Sequence, residues 1–187
     1  RGTATPLALV EQGRLVQIRG VSHASTDLEV SRVAERQGKA AESMLKQTIE
    51  GCPINIMTMY GETASTGSVL TLFAIYSHSP DEIEMDKPIR LGADALGSKD
   101  KRSEDVASEA ARILLEDMKT HAAVDAHLAD NLIPLLGLVG GKIKTSKITD
   151  HTKTNMYVVE KFLDVEFVMN EDEKTISLEI KKEEKEN

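Results

Sequence analysis

Apolar and polar positions along this chain change rhythm every ten to twenty residues, and each rhythm predicts an element. Pro6–Val10 and Arg14–Arg19 are strand-like runs on either side of Glu11-Gln12-Gly13, which predicts a hairpin. Gly20–Ser25 (GVSHAS) reads as a loop. Thr26-Asp27-Leu28-Glu29 has the spacing of a capping box, so a helix is expected to begin there. Val33, Gln37, Ala40, Ala41, Met44 and Leu45 then recur at helical intervals and carry it to about Gln47, before Gly51-Cys52-Pro53 stops it. Ile54–Tyr60 alternates like a strand, and Gly61–Gly67 (GETASTG) is a turn-rich loop. Ser68–Tyr76 is apolar, aromatic and β-branched, as a buried strand is. Ser79–Lys87 is acidic and loop-like, and Pro88–Leu91 is a short strand candidate.

The second half continues the mixture. Ser103 is placed to cap a helix whose first turn carries Glu104 and Asp105, with Val106, Ala110, Ile113 and Leu114 as its apolar stripe. A third helix is expected over Asp125–Leu136, with Pro134 kinking it or ending its useful length. Gly137–Gly141 leads into a strand over Lys142–Thr149, Asp150–Thr154 connects, and Asn155–Leu163 is a short helix. Val165, Phe167 and Met169 alternate, as do Ile176, Leu178 and Ile180, around an Asn170–Lys174 turn, which predicts a closing hairpin. The fold class is α+β, with hairpins and paired helices in place of strict strand–helix alternation.

Composition narrows the function classes. The chain has 187 residues, 40% hydrophobic and 29% charged, enough for one or two domains with a real core. Its longest apolar runs, Ser68–Tyr76 and Leu132–Val139, are far shorter than a bilayer span, so no membrane partner is expected. One cysteine, Cys52, excludes an internal disulfide framework and suits a reducing cytoplasm. One Cys and five scattered His argue against a structural zinc site, and no metal ligands are predicted. The net charge of -8 means that any nucleic-acid contact needs a local basic patch. Lys181–Asn187 (KKEEKEN) reads as a solvated, disordered tail. The first residue is Arg1, not Met, which suggests a fragment or a processed chain.

Two places carry candidate chemistry. On the third helix His127, Asp130 and Asn131 fall at i, i+3 and i+4 and share one face beside the apolar Leu128, Leu132, Leu135 and Leu136. Three aligned hydrogen-bonding side chains suit a ligand, and they equally suit an ordinary solvent-facing side. The second place is Lys142–Asn155 (KIKTSKITDHTKTN), where Lys142, Lys144, Lys147 and Lys153 crowd His151 just before an expected helix start. Lysines and a helix N-terminus favour phosphate oxygens. The same pattern also fits an edge strand guarded by lysines. His23, Cys52 and the Gly140-Gly141 pair lack the partners or spacing of a site.

These residues carry a family resemblance. Val124–Pro134 (VDAHLADNLIP) resembles a helix of the RNA 3'-terminal phosphate cyclases, and Thr149–Asn155 (TDHTKTN) resembles their histidine motif. Gly20–Ser25, Val33–Gln37 (VAERQ) and Gly92–Gly97 (GADALG) resemble the same family in the same order. The resemblance implies that His151 is the histidine that becomes adenylylated. It implies that His127, Leu128, Ala129, Asp130 and Asn131 line the adenylate pocket, with Asn131 one methylene shorter than the family's usual Gln. It implies a main domain of repeated units, each a four-stranded sheet with two helices, and a smaller inserted βα domain.

By that comparison residues 1–25 and 92–180 belong to the main domain, 26–91 to the insert and 181–187 to the tail. The implied reaction uses ATP and a divalent cation, Mg²⁺ or Mn²⁺, to convert an RNA 3'-phosphate into a 2',3'-cyclic phosphate. The implied partners are RNA with a 3'-phosphate end and the N-terminal half of the same protein, because the chain corresponds to roughly the C-terminal half and supplies the nucleophile without a complete site. Two other readings share the architecture: a non-catalytic cyclase-like scaffold of ribosome assembly, expected to lack the histidine, and an enolpyruvyl-transferase-type enzyme, which needs no covalent histidine.

Overall fold

The computed structural model describes residues 4–79 and 88–180. Beyond Ser79 the acidic Ser79–Lys87 loop lies outside the described residues, as does the Lys181–Asn187 tail. In chain order the elements are β1 (Leu7–Leu9), β2 (Arg14–Ser25), α1 (Val33–Thr48), β3 (Ile54–Gly61), β4 (Ser68–Ser77), β5 (Ile89–Leu96), α2 (Ser103–Met118), α3 (Ala126–Val139), β6 (Gly141–Lys144), α4 (Asp150–Phe162), β7 (Val165–Asn170) and β8 (Thr175–Ile180). The chain is α+β and forms two compact units: Gly13–Thr120, and Arg1–Gln12 together with His121–Asn187. Among the described residues no helix is long and apolar enough to cross a membrane.

The larger unit, Gly13–Thr120, holds a sheet in the order β3-β2-β4-β5. β2 and β3 are parallel and joined through α1, whereas β2–β4 and β4–β5 are antiparallel. Ile18, Leu45, Leu70, Leu72, Leu91 and Leu114 are fully buried between the sheet and the helices α1 and α2. Each such side chain stabilises the fold by about 1.5–3 kcal/mol. Fully buried alanines, Ala41 on α1 and Ala107, Ala110 and Ala111 on α2, keep the packed helix faces small.

The smaller unit repeats the plan with different connections. Its sheet runs β1-β6-β8-β7, with β1 and β6 parallel and the other pairs antiparallel. α3 and α4 pack together and over this sheet, burying Ala129, Ile133, Leu136, Ile143, Met156 and Ile176. Two glycines permit close approaches. A Cβ at Gly137 on α3 would lie 2.6 Å from Cγ1 of Val159 on α4. Gly141 has φ +119, and a Cβ there would lie 2.0 Å from the Leu7 carbonyl oxygen, so the Gly140-Gly141 pair serves the entry of β6 beside β1.

The structure departs from the sequence reading at several boundaries. β1 and β2 do not form a hairpin; they belong to different sheets, because alternation marks a strand without naming its partner. Gly20–Ser25 is not a loop but the end of β2, paired to β3 on one side and β4 on the other. Small residues there leave room for α1, whose buried Gln37 accepts from Ser22 Oγ at 2.9 Å and donates to Ser68 Oγ at 2.9 Å.

The first long helix begins at Val33, not Thr26. Thr26–Leu28 is a single 3-10 turn, and the Asp27 carboxylate accepts from the Thr66 hydroxyl. The start of α1 is met instead by Tyr60, whose hydroxyl oxygen accepts from the Ala34 N–H at 3.2 Å. Pro88–Leu91 extends to Leu96, so most of the GADALG segment is strand. Ser103 is the first residue of α2 and not its cap; Arg102 holds the cap position without a side-chain bond. β6 ends at Lys144, earlier than the strand drawn to Thr149. The larger unit is also wider than the 26–91 segment drawn for the insert, because β2, β5 and α2 share one core with β3 and β4.

Candidate functional site

His151 stands in the first turn of α4, which begins at Asp150 and not after the motif. The start is set by a reciprocal cap. Thr149 Oγ1 accepts from the Thr152 N–H at 3.0 Å, and Thr152 Oγ1 accepts from the Thr149 N–H at 3.1 Å. Thr152 is fully buried and His151 beside it is exposed, so the cap turns one side chain inward and offers its neighbour to solvent. Thr154 bonds within its own helix, donating to the Asp150 carbonyl at 2.8 Å.

α3 reaches this turn through one residue. Asp130 Oδ1 accepts from Thr149 Oγ1 at 2.8 Å and also from the Thr152 hydroxyl. Its main-chain oxygen accepts from Asn155 Nδ2 at 2.9 Å. That carbonyl is available because of Pro134: the residue four positions on would normally donate to it, and proline has no N–H. Asn155 lies one turn after His151 on the same side of α4. Asp130 therefore holds the His151 turn by side chain and backbone together. The resemblance implied that Asp130 lines the adenylate pocket; in the structure its carboxylate is bonded to the cap of the turn that carries His151.

The rest of the predicted set is distributed as follows. Asp125 caps α3, accepting from the Leu128 N–H at 2.8 Å. His127, Leu128 and Asn131 are exposed, and Asn131 Nδ2 donates back to the His127 carbonyl at 2.8 Å. The Ala129 methyl is fully buried in the core. His127, Asp130 and Asn131 thus share a face, as spacing required, and Asp130 joins that face to the His151 turn.

Of the four lysines, Lys147 and Lys153 line one cleft, whereas Lys142 and Lys144 lie on β6. Lys153 lies two residues from His151, about 200° around the helix, and bonds Glu171 at 2.6 Å. That bond holds the Lys153 ammonium above its ordinary pKa and the Glu171 carboxyl below its own. Lys147, Lys153, Glu171 and Lys174 line a cleft of about 220 Å³ with Ile148. Lys174 and Glu171 escaped the sequence reading because they lie in the β7–β8 turn. Among the described residues no group of three or more His, Cys, Asp or Glu side chains gathers as a metal site.

This geometry can be set beside known proteins. Residues 10–119 match the family model described as RNA 3'-terminal phosphate cyclase (RTC), insert domain. The match nearly coincides with the compact unit Gly13–Thr120. The RNA 3'-terminal phosphate cyclase of Pyrococcus furiosus is 44% identical over 148 residues, 79% of this chain and 39% of the relative. That of Thermococcus kodakarensis is 41% identical over 157 residues, 84% of this chain and 42% of the relative. That of Saccharolobus solfataricus is 38% identical over 164 residues, 88% of this chain and 45% of the relative. The chain spans less than half the length of these relatives, and over that span it belongs to the RNA 3'-terminal phosphate cyclase family.

Proposed function

We propose that this chain supplies the nucleophile of an ATP-dependent RNA 3'-phosphate cyclase, with His151 as the residue that becomes adenylylated. The observation that carries the proposal is the placement of His151: exposed, in the first turn of α4, on a turn fixed by Asp130. Helix N-termini attract phosphate oxygens through unpaired N–H groups and the helix dipole. An imidazole there meets an α-phosphate whose oxygens are already held.

An imidazole nitrogen of His151 attacks the α-phosphorus of ATP; a P–N bond forms and pyrophosphate leaves. An oxygen of the RNA 3'-phosphate then attacks that phosphorus, the P–N bond breaks and AMP joins the RNA end as an anhydride. The adjacent ribose 2'-hydroxyl attacks the RNA phosphorus and loses its proton, AMP departs, and the 2',3'-cyclic phosphate closes. The last step is intramolecular and needs positioning more than force.

Asp130 is a positioning residue, acting through the cap of α4. His127 and Asn131 face the same side and are the side chains best placed to meet the nucleotide. A divalent cation finds no ready set of ligands among the described residues, and no step is assigned to one. The remaining site residues are proposed to come from the N-terminal half represented in the relatives, and the reaction to take place in the cytoplasm.

The test is labelling. The chain, joined to an N-terminal half, is incubated with α-labelled ATP and Mg²⁺. Acid-labile, alkali-stable label is expected on the protein and is lost in His151→Ala. In Asp130→Ala the label is expected to fall about tenfold, the equivalent of one lost strong contact at the transition state. No label, or equal label on His151→Ala, rejects the enzyme and leaves the non-catalytic scaffold.

A further inference from the structure

The cleft lined by Lys147, Ile148, Lys153, Glu171 and Lys174 has a volume of about 220 Å³. It lies wholly within the smaller unit. Lys153 leaves α4 on a different side from His151, so the cleft has no part in the attack on ATP.

We propose that this cleft holds a backbone phosphate of an RNA strand. The phosphate chemistry stands on the cleft itself; the choice of RNA as its source rests on the function proposed above. Three observations support it. The first is charge. Lys153 is paired with Glu171, whereas Lys147 and Lys174 have no ion-pair partner among the described residues. Two uncompensated ammonium groups therefore line one cleft of a chain whose net charge is -8. Asp150, Asp172 and Glu173 nearby in sequence are exposed and outside the lining. They confine the positive field to the cleft, which suits one phosphate and not a long basic track.

The second observation is the support behind the lysines. Thr145 is fully buried; its N–H donates to the Lys174 carbonyl at 3.0 Å and its hydroxyl to the Lys147 carbonyl at 3.1 Å. One core residue thus fixes the backbone of both lysines, and less ordering remains to be done when an anion binds. The third is backbone conformation. Lys174 has φ +55, a left-handed conformation that suits glycine and disfavours a side chain. Closing the β7–β8 turn does not call for a lysine there. Its side chain costs the turn stability and gives the cleft a cation.

Size and lining select the ligand. The volume is below the range of about 300–1,000 Å³ that whole small molecules occupy, so a phosphate fits and its nucleoside stays outside. Among the described residues Ile148 is the one apolar lining residue, and no aromatic ring lines the cleft for a base to stack on. Such a contact positions a strand without reading its sequence. Free phosphate is the other source of the same chemistry.

The test is binding of a fluorescein-labelled oligoribonucleotide ending in a 3'-hydroxyl, followed by anisotropy without ATP at about 50–200 mM NaCl. Lys147→Gln is expected to weaken binding about tenfold at the lowest salt and to lower the salt slope by about 0.7, the single-strand value for one phosphate contact. Lys174→Gly should do the same with Tm unchanged or raised, because glycine accepts φ +55. Glu171→Gln frees Lys153 and should tighten binding about threefold, the scale of one exposed ion pair. Lys142→Gln, exposed on β6 and outside the lining, should change nothing. The proposal is overturned if the strand does not bind, if both lysine variants of the cleft bind like the original chain, or if Lys142→Gln weakens binding as much as they do. Inorganic phosphate that binds more tightly than the strand at equal ionic strength assigns the cleft to a free anion and also overturns it. Labelling from ATP, measured on the same variants joined to an N-terminal half, keeps the two proposals apart. Label without RNA binding rejects the cleft and spares His151, and lysine-dependent RNA binding without label supports the cleft and rejects only the nucleophile.

Discussion

The two units solve the same packing problem by different means. Each covers one sheet with two helices. In the larger unit α1 and α2 present alanines and leucines to one another and to the sheet, with Ala41, Ala107, Ala110, Ala111, Leu45 and Leu114 fully buried. In the smaller unit the apolar contact between α3 and α4 is supplemented by a polar latch: the Asp130 carboxylate on Thr149 and Thr152, and its carbonyl on Asn155. Apolar packing is non-directional and tolerates small shifts. Hydrogen bonds have preferred lengths and angles and lock one register. The latch belongs to the unit in which the placement of a single side chain, His151, matters most to the proposed chemistry.

The largest expected effect breaks the apolar side of this comparison. Leu114→Ala removes a fully buried side chain from the larger core and should lower the stability of that unit by about 2–5 kcal/mol. Hydrogen exchange should report the loss within Gly13–Thr120 while the amides of α4 keep their protection. An equal loss of protection at Thr152 would mean that the two units do not unfold independently. Next in size is the polar side. Asp130→Ala takes the acceptor from two threonine hydroxyls, one of them fully buried, and should cost the smaller unit about 2–4 kcal/mol. Here the first turn of α4 should exchange faster and the larger unit should be indifferent. Unchanged exchange at Thr152 and Lys153 would show that the cap stands without Asp130.

The same contrast explains what the sequence disclosed. Ser68–Tyr76 and the β7–β8 hairpin were legible because burial writes a clear pattern of apolar residues onto a strand. The shared face of His127, Asp130 and Asn131 was legible from spacing, whereas His151 was singled out by the family resemblance and not by spacing. The α4 start was misplaced because its cap is Thr149 with Thr152 and lacks the acidic or amide third residue that marks a capping box. GVSHAS was misread because its small polar residues have weak strand preference, and only pairing on both sides makes it a strand. The part played by Asp130 could not be read at all. It depends on a carbonyl released by Pro134 and claimed by Asn155 from another helix, and no local pattern links those positions.

That three-residue relation yields the smallest and most discriminating effect. Asn155→Ala leaves the Asp130 carbonyl without its donor and should cost about 1–2 kcal/mol. Pro134→Ala restores an N–H four residues after Asp130, so α3 can satisfy the carbonyl from within. If the proline is what makes Asn155 necessary, Asn155→Ala should cost about 1 kcal/mol less in the Pro134→Ala background, a coupling within the range of contacting residues. Chemical denaturation of the four proteins of that cycle measures it. Equal costs in the two backgrounds would separate the proline from the latch and assign Pro134 to the bending of α3 alone. A positive coupling would mean that a residue unfavourable to its own helix is retained because it directs a hydrogen bond toward the helix that carries His151.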